Sequence, residues 1–307
     1  MTLYVHEKKV SIKSKTFNLL AYFLGNKKAF ESQNKIIKHI KTLNNNAEYH
    51  IPKPKKIKSS IKTETFDNMQ VFILNDQETN NQKVIFYNHG GGWIHQPIMS
   101  HWLFLDKIAK QLNAKVIVPI YTKVPHGNYS DVYSKLIPLY KHVLDSMEDK
   151  DDITLMGDSA GGNISLALAH LLKENGIKSP NNIILLSAGV DSSLDNPLIK
   201  LYENKDKIIA KKGVQYIVKI WKSDKKYKDP IISPIEGKFD NNVTVSHFIG
   251  TNEILYPDAI ELDKKLEKQN ININTYIFPE MLHVFPIYPI KEGQIAFKKI
   301  IDIIHND

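Results

Sequence analysis

The sequence predicts an α/β fold: a mostly parallel central sheet flanked by helices on both faces. From about residue 61 onward, short apolar runs of β type alternate with helical patterns, the rhythm of strands joined by crossover helices. Two glycine-rich segments, at residues 89–92 and 157–161, each stand at the carboxyl end of such a run. Sheets of this kind bind ligands beyond the carboxyl ends of their strands.

The composition is that of an ordinary soluble globular chain, with 42% hydrophobic and 24% charged residues. A chain of 307 residues can hold two domains, but α/β folds of this size commonly form one. Cysteine is absent, which excludes disulfides, zinc-thiolate sites and a cysteine nucleophile. A reducing compartment is permitted, and the cytoplasm is the expected location. The net charge of +8 invites a nucleic-acid reading, yet all 41 basic residues are lysine. Arginine is the preferred residue for bidentate phosphate and guanine contacts. The charge is therefore read as a solvated basic surface, with no nucleic acid as partner.

Residues 1–50 read as two helical pieces, roughly 11–24 and 28–43, the second closed by Asn44-Asn45-Asn46. Lysines 8, 9, 13 and 15 precede the apolar run at 17–24, an arrangement that superficially resembles a signal peptide. The run is broken by Asn18, is too short to span a bilayer and lacks a small-residue cleavage site. A helix resting on the protein is expected, with no stable membrane insertion. Residues 51–60 form a basic, proline-broken linker. Strands are expected at 61–66, 69–74, 83–88, 115–120, 152–156, 182–187, 243–249 and 271–278. Helices are expected at about 98–112, 129–147, 159–174, 257–270 and 291–305. The long interval between Ser187 and Val243, with a helical pattern at 210–221, reads as an insertion over the carboxyl edge of the sheet.

Gly157-Asp158-Ser159-Ala160-Gly161 carries the chemistry. A serine hydroxyl needs exposure and a base to act as a nucleophile. Gly-x-Ser-x-Gly between a strand and a helix supplies the exposure, because side chains at the flanking positions would collide in the sharp turn. His89-Gly90-Gly91-Gly92 closes the strand before it, and consecutive glycines let backbone N–H groups face a cavity. Gly91, Gly92 and Ala160 are the expected oxyanion donors. His89 is read as fixing the loop. The base should be a histidine after the serine. His247 lies inside a strand pattern and His305 near the chain end, which leaves His283, in a loop after the last strand. The acid that orients it is read as Glu253, at a loop tip, ahead of Asp258 in a first helical turn, with Asp191 as an outsider. Trp93, Tyr121 and Asp158 are the candidate substrate-binding residues; aromatic packing and support of the serine turn are their alternatives. No ordinary metal-ligand spacing occurs: His95 and His101 are six apart, and His-Glu-x-x-His is absent.

With these residues in hand, the chain resembles the hormone-sensitive-lipase-like carboxylesterases of the α/β-hydrolase superfamily. The resemblance spans about residues 80–305 and rests on four segments. These are His89-Gly-Gly-Gly-Trp93, Gly157-Asp-Ser-Ala-Gly-Gly162, Gly250-Thr-x-Glu253 and Leu282-His283-Val-Phe285. It implies an α/β-hydrolase catalytic domain at 61–307. Residues 1–60 would be an N-terminal helical cap segment and linker, and about 192–232 a cap insertion. It also implies a cofactor-independent serine esterase acting on a short-chain ester, with homodimerisation left open. An inactive small-molecule receptor on the same fold, or an amidase or peptidase with the same triad, are the alternatives. Three departures stand out. Glutamate replaces the more frequent aspartate at 253. Tyr121-Thr-Lys-Val-Pro-His126 replaces a Tyr-Arg-Leu-Ala-Pro-Glu segment and loses its arginine and glutamate, so the local scaffold must be held differently. The cap, the most variable region of the family, gives no substrate specificity.

Overall fold

The computed structural model describes residues 2–23, 26–43, 46 and 48–305. Leu24 and Gly25, and Asn44 and Asn45 of the expected helix stop, lie outside the described residues. The strands, in chain order, are β1 (Thr2–Val5), β2 (Ile61–Phe66), β3 (Met69–Leu74), β4 (Val84–Asn88) and β5 (Lys115–Pro119), then β6 (Ile153–Asp158), β7 (Asn182–Leu186), β8 (Thr244–Gly250) and β9 (Asn272–Phe278). Among the described residues they form one nine-stranded sheet in the order β1-β9-β8-β7-β6-β4-β5-β3-β2. The β2–β3 and β3–β5 pairs are antiparallel and the others are parallel.

Alternation along the central strands builds two cores. Phe86, Leu155, Ile183 and Leu185 face one side, where they meet Leu136 and Leu139 of α5 (Tyr129–Asp145), Ile164 and Leu168 of α6 (Ser159–Glu174) and Leu266 of α8 (Tyr256–Lys268). Ile85, Met156, Ile184 and Leu186 face the other, against Leu105 and Ile108 of α4 (Met99–Gln111) and Phe297 and Ile300 of α9 (Lys291–His305). Burial on both faces explains why these strands read as unbroken apolar runs.

The N-terminal fifty residues differ from the two-helix reading. Residues 2–5 are a strand, with Thr2 in register with Asn274 and Val5 with Ile277. β1 is short, and Leu3 and Val5 are exposed, so no apolar period marks it. Helix α1 (Ile12–Phe23) lies beside α9, where Ser11 N–H and Ser11 Oγ donate to Glu292 at 2.7 and 2.9 Å, and Ser14 Oγ donates to the same carboxylate. The second expected helix is divided into α2 (Asn26–Phe30) and α3 (Gln33–Thr42), because Ser32 is extended and caps α3 by accepting from Lys35 N–H. Phe30, Ile36 and Ile40 from these helices join Ile217, Val218 and Trp221 of α7 (Lys211–Trp221) in the first core. Of the N-terminal helices, α2 and α3 thus pack against α7. Among the described residues no helix is long and apolar enough to cross a membrane.

Candidate active site

Strand β6 ends at Asp158 and α6 begins at Ser159, whose φ of +50° is unusual for a residue with a side chain. The turn requires its glycines. A Cβ on Gly157 would lie 2.4 Å from the Gly161 carbonyl oxygen, and one on Gly161 would lie 2.0 Å from that of Asn88. The strained turn leaves Ser159 partly exposed at the wall of a cavity of about 470 Å³.

His283 follows β9, and its Nε2 lies 2.8 Å from Ser159 Oγ. Its Nδ1 lies 2.7 Å from Glu253 Oε2, in the loop after β8. The other carboxylate oxygen of Glu253 accepts from Gly250 N–H at 2.7 Å and from Ser187 Oγ at 2.9 Å. Ser187 Oγ in turn accepts from Val284 N–H at 2.9 Å, which joins the acid loop to the histidine loop. Glu253 and Asp206 are fully buried nearby, and Asp206 is held by the N–H groups of Ile208, Ile209 and Ile254. Burial alone would lower the His283 pKa. The hydrogen bond to Glu253, then the charges of Glu253, Asp206 and Asp158, outweigh it, and the pKa lies above the ordinary 6.5.

Opposite the serine, Gly91 and Gly92 sit at φ +120° and +59°. Gly90 N–H donates to Asp158 Oδ1 at 2.7 Å, whereas the N–H groups of Gly91 and Gly92 have no partner among the described residues. They line the cavity together with Ser159, His283 and Ala160. Ala160 N–H, in the first turn of α6, has no intrahelical acceptor. Phe30, Leu194, Val214, Val218, Leu255 and Ile287 give the cavity its apolar wall.

A family model for the alpha/beta hydrolase fold matches residues 85–287. The chain belongs to the alpha/beta hydrolase fold family. The matched interval contains all six residues expected to carry acyl transfer. An esterase of Acinetobacter venetianus is 24% identical to this hydrolase over 207 residues, covering 67% of this chain and 68% of the relative. A solved structure of a candidate esterase from Staphylococcus aureus superposes with a TM-score of 0.85 at 28% identity, covering 92% of this chain and 96% of that one. Human hormone-sensitive lipase is 26% identical over 133 residues, covering 42% of this chain and 12% of the lipase. The expected resemblance to hormone-sensitive-lipase-like proteins is thus borne out.

The three residues expected to bind substrate in this hydrolase have different surroundings. Tyr121 does not line the cavity. It lies behind the glycine loop, stacked on His89 with ring centroids 4.6 Å apart, and its hydroxyl donates to the His89 carbonyl at 2.7 Å. Asp158 borders the cavity, but both its oxygens are occupied: Oδ1 by Tyr87 Oη (2.6 Å) and Gly90 N–H, Oδ2 by His101 Nε2 (3.2 Å). Trp93 does line the cavity, and it stacks on Trp221 with centroids 5.5 Å apart. His89 is buried and donates through Nδ1 to the Gly90 carbonyl at 2.7 Å, as a loop-fixing residue does. The scaffold question raised by residues 121–126 has a local answer in Lys123. Its buried Nζ donates to the Tyr121 carbonyl and lies 3.6 Å over the Tyr121 ring, and burial pushes its pKa well below the ordinary lysine value.

The other candidate bases and acids lie elsewhere in the hydrolase. His247 is buried against Asp263 and Thr275, and Asp191 is paired with Lys228 at 2.7 Å. Among the described residues no group of three or more His, Cys, Asp or Glu could hold a metal ion. Asp258 accepts from Asn196 Nδ2 at 2.9 Å, while its second oxygen is buried without a partner. Burial pushes its pKa up from 3.8 to about 7. The folded state keeps this proton up to that pH, whereas the unfolded chain releases it near 3.8, so stability falls as pH rises between the two values. Asp258→Asn is therefore expected to raise the thermal unfolding temperature at pH 8 by a few degrees, on the order of 2 kcal/mol, and to leave it unchanged at pH 4. Calorimetry at the two pH values checks this, and an equal response at both would refute it.

Proposed function

We propose that this carboxylic ester hydrolase is a serine esterase that cleaves short-chain esters through an acyl-enzyme. One observation carries the reading: an unbroken hydrogen-bonded row, Ser159 to His283 to Glu253, ends in an apolar cavity faced by unpartnered backbone N–H groups. Ser159 Oγ attacks the ester carbonyl carbon and passes its proton to His283 Nε2. Glu253 keeps the Nδ1–H tautomer and stabilises the imidazolium. The carbonyl oxygen, now negative, receives hydrogen bonds from Gly91, Gly92 and Ala160, each donor of this kind contributing about 2.7–4 kcal/mol. Collapse breaks the bond to the alcohol, which leaves with the proton from His283. Water repeats the cycle on the acyl-enzyme and releases the acid and Ser159.

The size of the cavity supports a preference for short acyl chains. Its 470 Å³ lies in the lower half of the roughly 300–1,000 Å³ range of small-ligand sites, and acyl and alcohol groups must share it under α2, α3 and α7. In this reading these helices serve as the cap. Hydrolysis of p-nitrophenyl acetate, butyrate and palmitate tests it. We expect turnover of acetate and butyrate at rates at least about tenfold above palmitate. Dominant palmitate hydrolysis would instead indicate a lipase, and a folded wild-type protein inert to all three esters would overturn the reading.

A further inference from the structure

We propose that His39 and His95 form a strut that aims the Gly92 N–H into the oxyanion hole, an inference that rests on the serine-esterase reading. His95 lies just past the glycine loop, with Nδ1 3.1 Å from the Gly91 carbonyl oxygen. A carbonyl can only accept, so Nδ1 carries the ring proton and Nε2 presents a lone pair. That lone pair meets His39 Nε2 at 2.7 Å, so His39 is the donor. Burial, then the neighbouring His39, brings the His95 pKa down to about 4, and the neutral tautomer persists at neutral pH.

The Gly91 oxygen also accepts from the backbone N–H groups of Ile94 at 3.1 Å and His95 at 2.9 Å. Three donors hold one atom. That atom belongs to the planar peptide unit whose opposite end is the Gly92 N–H, and in a trans peptide the two point in opposite directions. Anchoring the oxygen therefore directs the hydrogen. The restraint matters because the peptide joins two glycines, whose backbones resist rotation least. His39 comes from α3, so the hydrogen bond also ties the roof of the cavity to the loop that receives the oxyanion. Both histidines are positioning residues: they act on a donor that does most of its work after the tetrahedral oxyanion has formed.

The strut predicts a distinctive kinetic pattern with p-nitrophenyl butyrate. His95→Ala lowers kcat about 10–100-fold and leaves KM within about twofold. His95→Asn, whose side-chain amide can still donate to the Gly91 carbonyl, recovers most of that loss. His39→Ala costs about threefold, and the double variant is no slower than His95→Ala, because His39 acts only through His95. Near-UV circular dichroism confirms that each variant keeps its packing. In parallel, 15N NMR of wild-type histidine side chains at pH 7 is expected to show His95 protonated on Nδ1 and His39 on Nε2. Losses that multiply in the double variant, a change confined to KM, or an Nε2-protonated His95 would each overturn the strut. Wild-type protein that turns over no ester would defeat the esterase reading alone, since the tautomer measurement decides the strut independently.

Discussion

Ser159→Ala is expected to reduce kcat for p-nitrophenyl butyrate by about five to six orders of magnitude, the scale at which loss of a serine nucleophile removes triad catalysis. Alanine removes only the hydroxyl. The residue at 159 must still adopt φ near +50°, a strain that serine already bears, so the fold should survive the change. The remaining activity would come from the oxyanion donors and from ordering of the substrate. Wild-type protein should react with a fluorophosphonate probe and gain the mass of one phosphonyl group, whereas the alanine variant should not. Retention of more than about 1% of wild-type kcat by Ser159→Ala would place the nucleophile elsewhere.

Glu253→Gln carries the second largest expected effect, a loss in kcat of about two to four orders of magnitude. One oxygen of Glu253 faces His283 and the other faces two donors, Gly250 N–H and Ser187 Oγ. An amide has only one acceptor oxygen, so either the histidine or the Gly250 N–H loses its partner. A pH profile distinguishes this from simple unfolding. The base must be neutral to take the serine proton, so kcat/KM should rise with pH through the pKa of His283. That pKa lies above 6.5 in the wild type because Glu253 favours the imidazolium, and removing the charge lets burial lower it. The acidic limb of the residual activity should therefore move to lower pH. An unmoved limb would mean that Glu253 does not govern the histidine.

Much of this arrangement was legible in the sequence, because the signals were local. The strands flanking Ser159 are buried on both faces and read as apolar runs, and the glycines at 157 and 161 are demanded by contacts within the turn itself. Elimination among the later histidines led to His283, which the structure brings to Ser159. The missing parts are those that exist only through tertiary juxtaposition. Ser187 links two loops whose attachment points are 66 and 97 positions away, and nothing in its own neighbourhood marks it beyond standing at the end of a strand. Asp206, in the stretch between β7 and β8, sits among polar and lysine residues that give no sign of burial, yet it is fully buried. Tyr121, for which both cavity lining and aromatic packing were open, packs behind its loop on His89, since a residue just past a strand gives no sign of which way it turns. β1 escaped because it is only four residues long and largely exposed, with Tyr4 alone packing onto Tyr276 and Phe278.

The short strand at the start of the chain has a mechanical consequence. Residues 2–5 are zipped onto one margin of the sheet, while residues 26–43 roof the catalytic cavity. Between the two, Ser11 and Ser14 clamp the chain to Glu292 of α9. A protease cut or a bulky fusion that lifted β1 would meet this clamp before it reached the helices over the cavity, so the roof is insulated from fraying at the margin of the sheet.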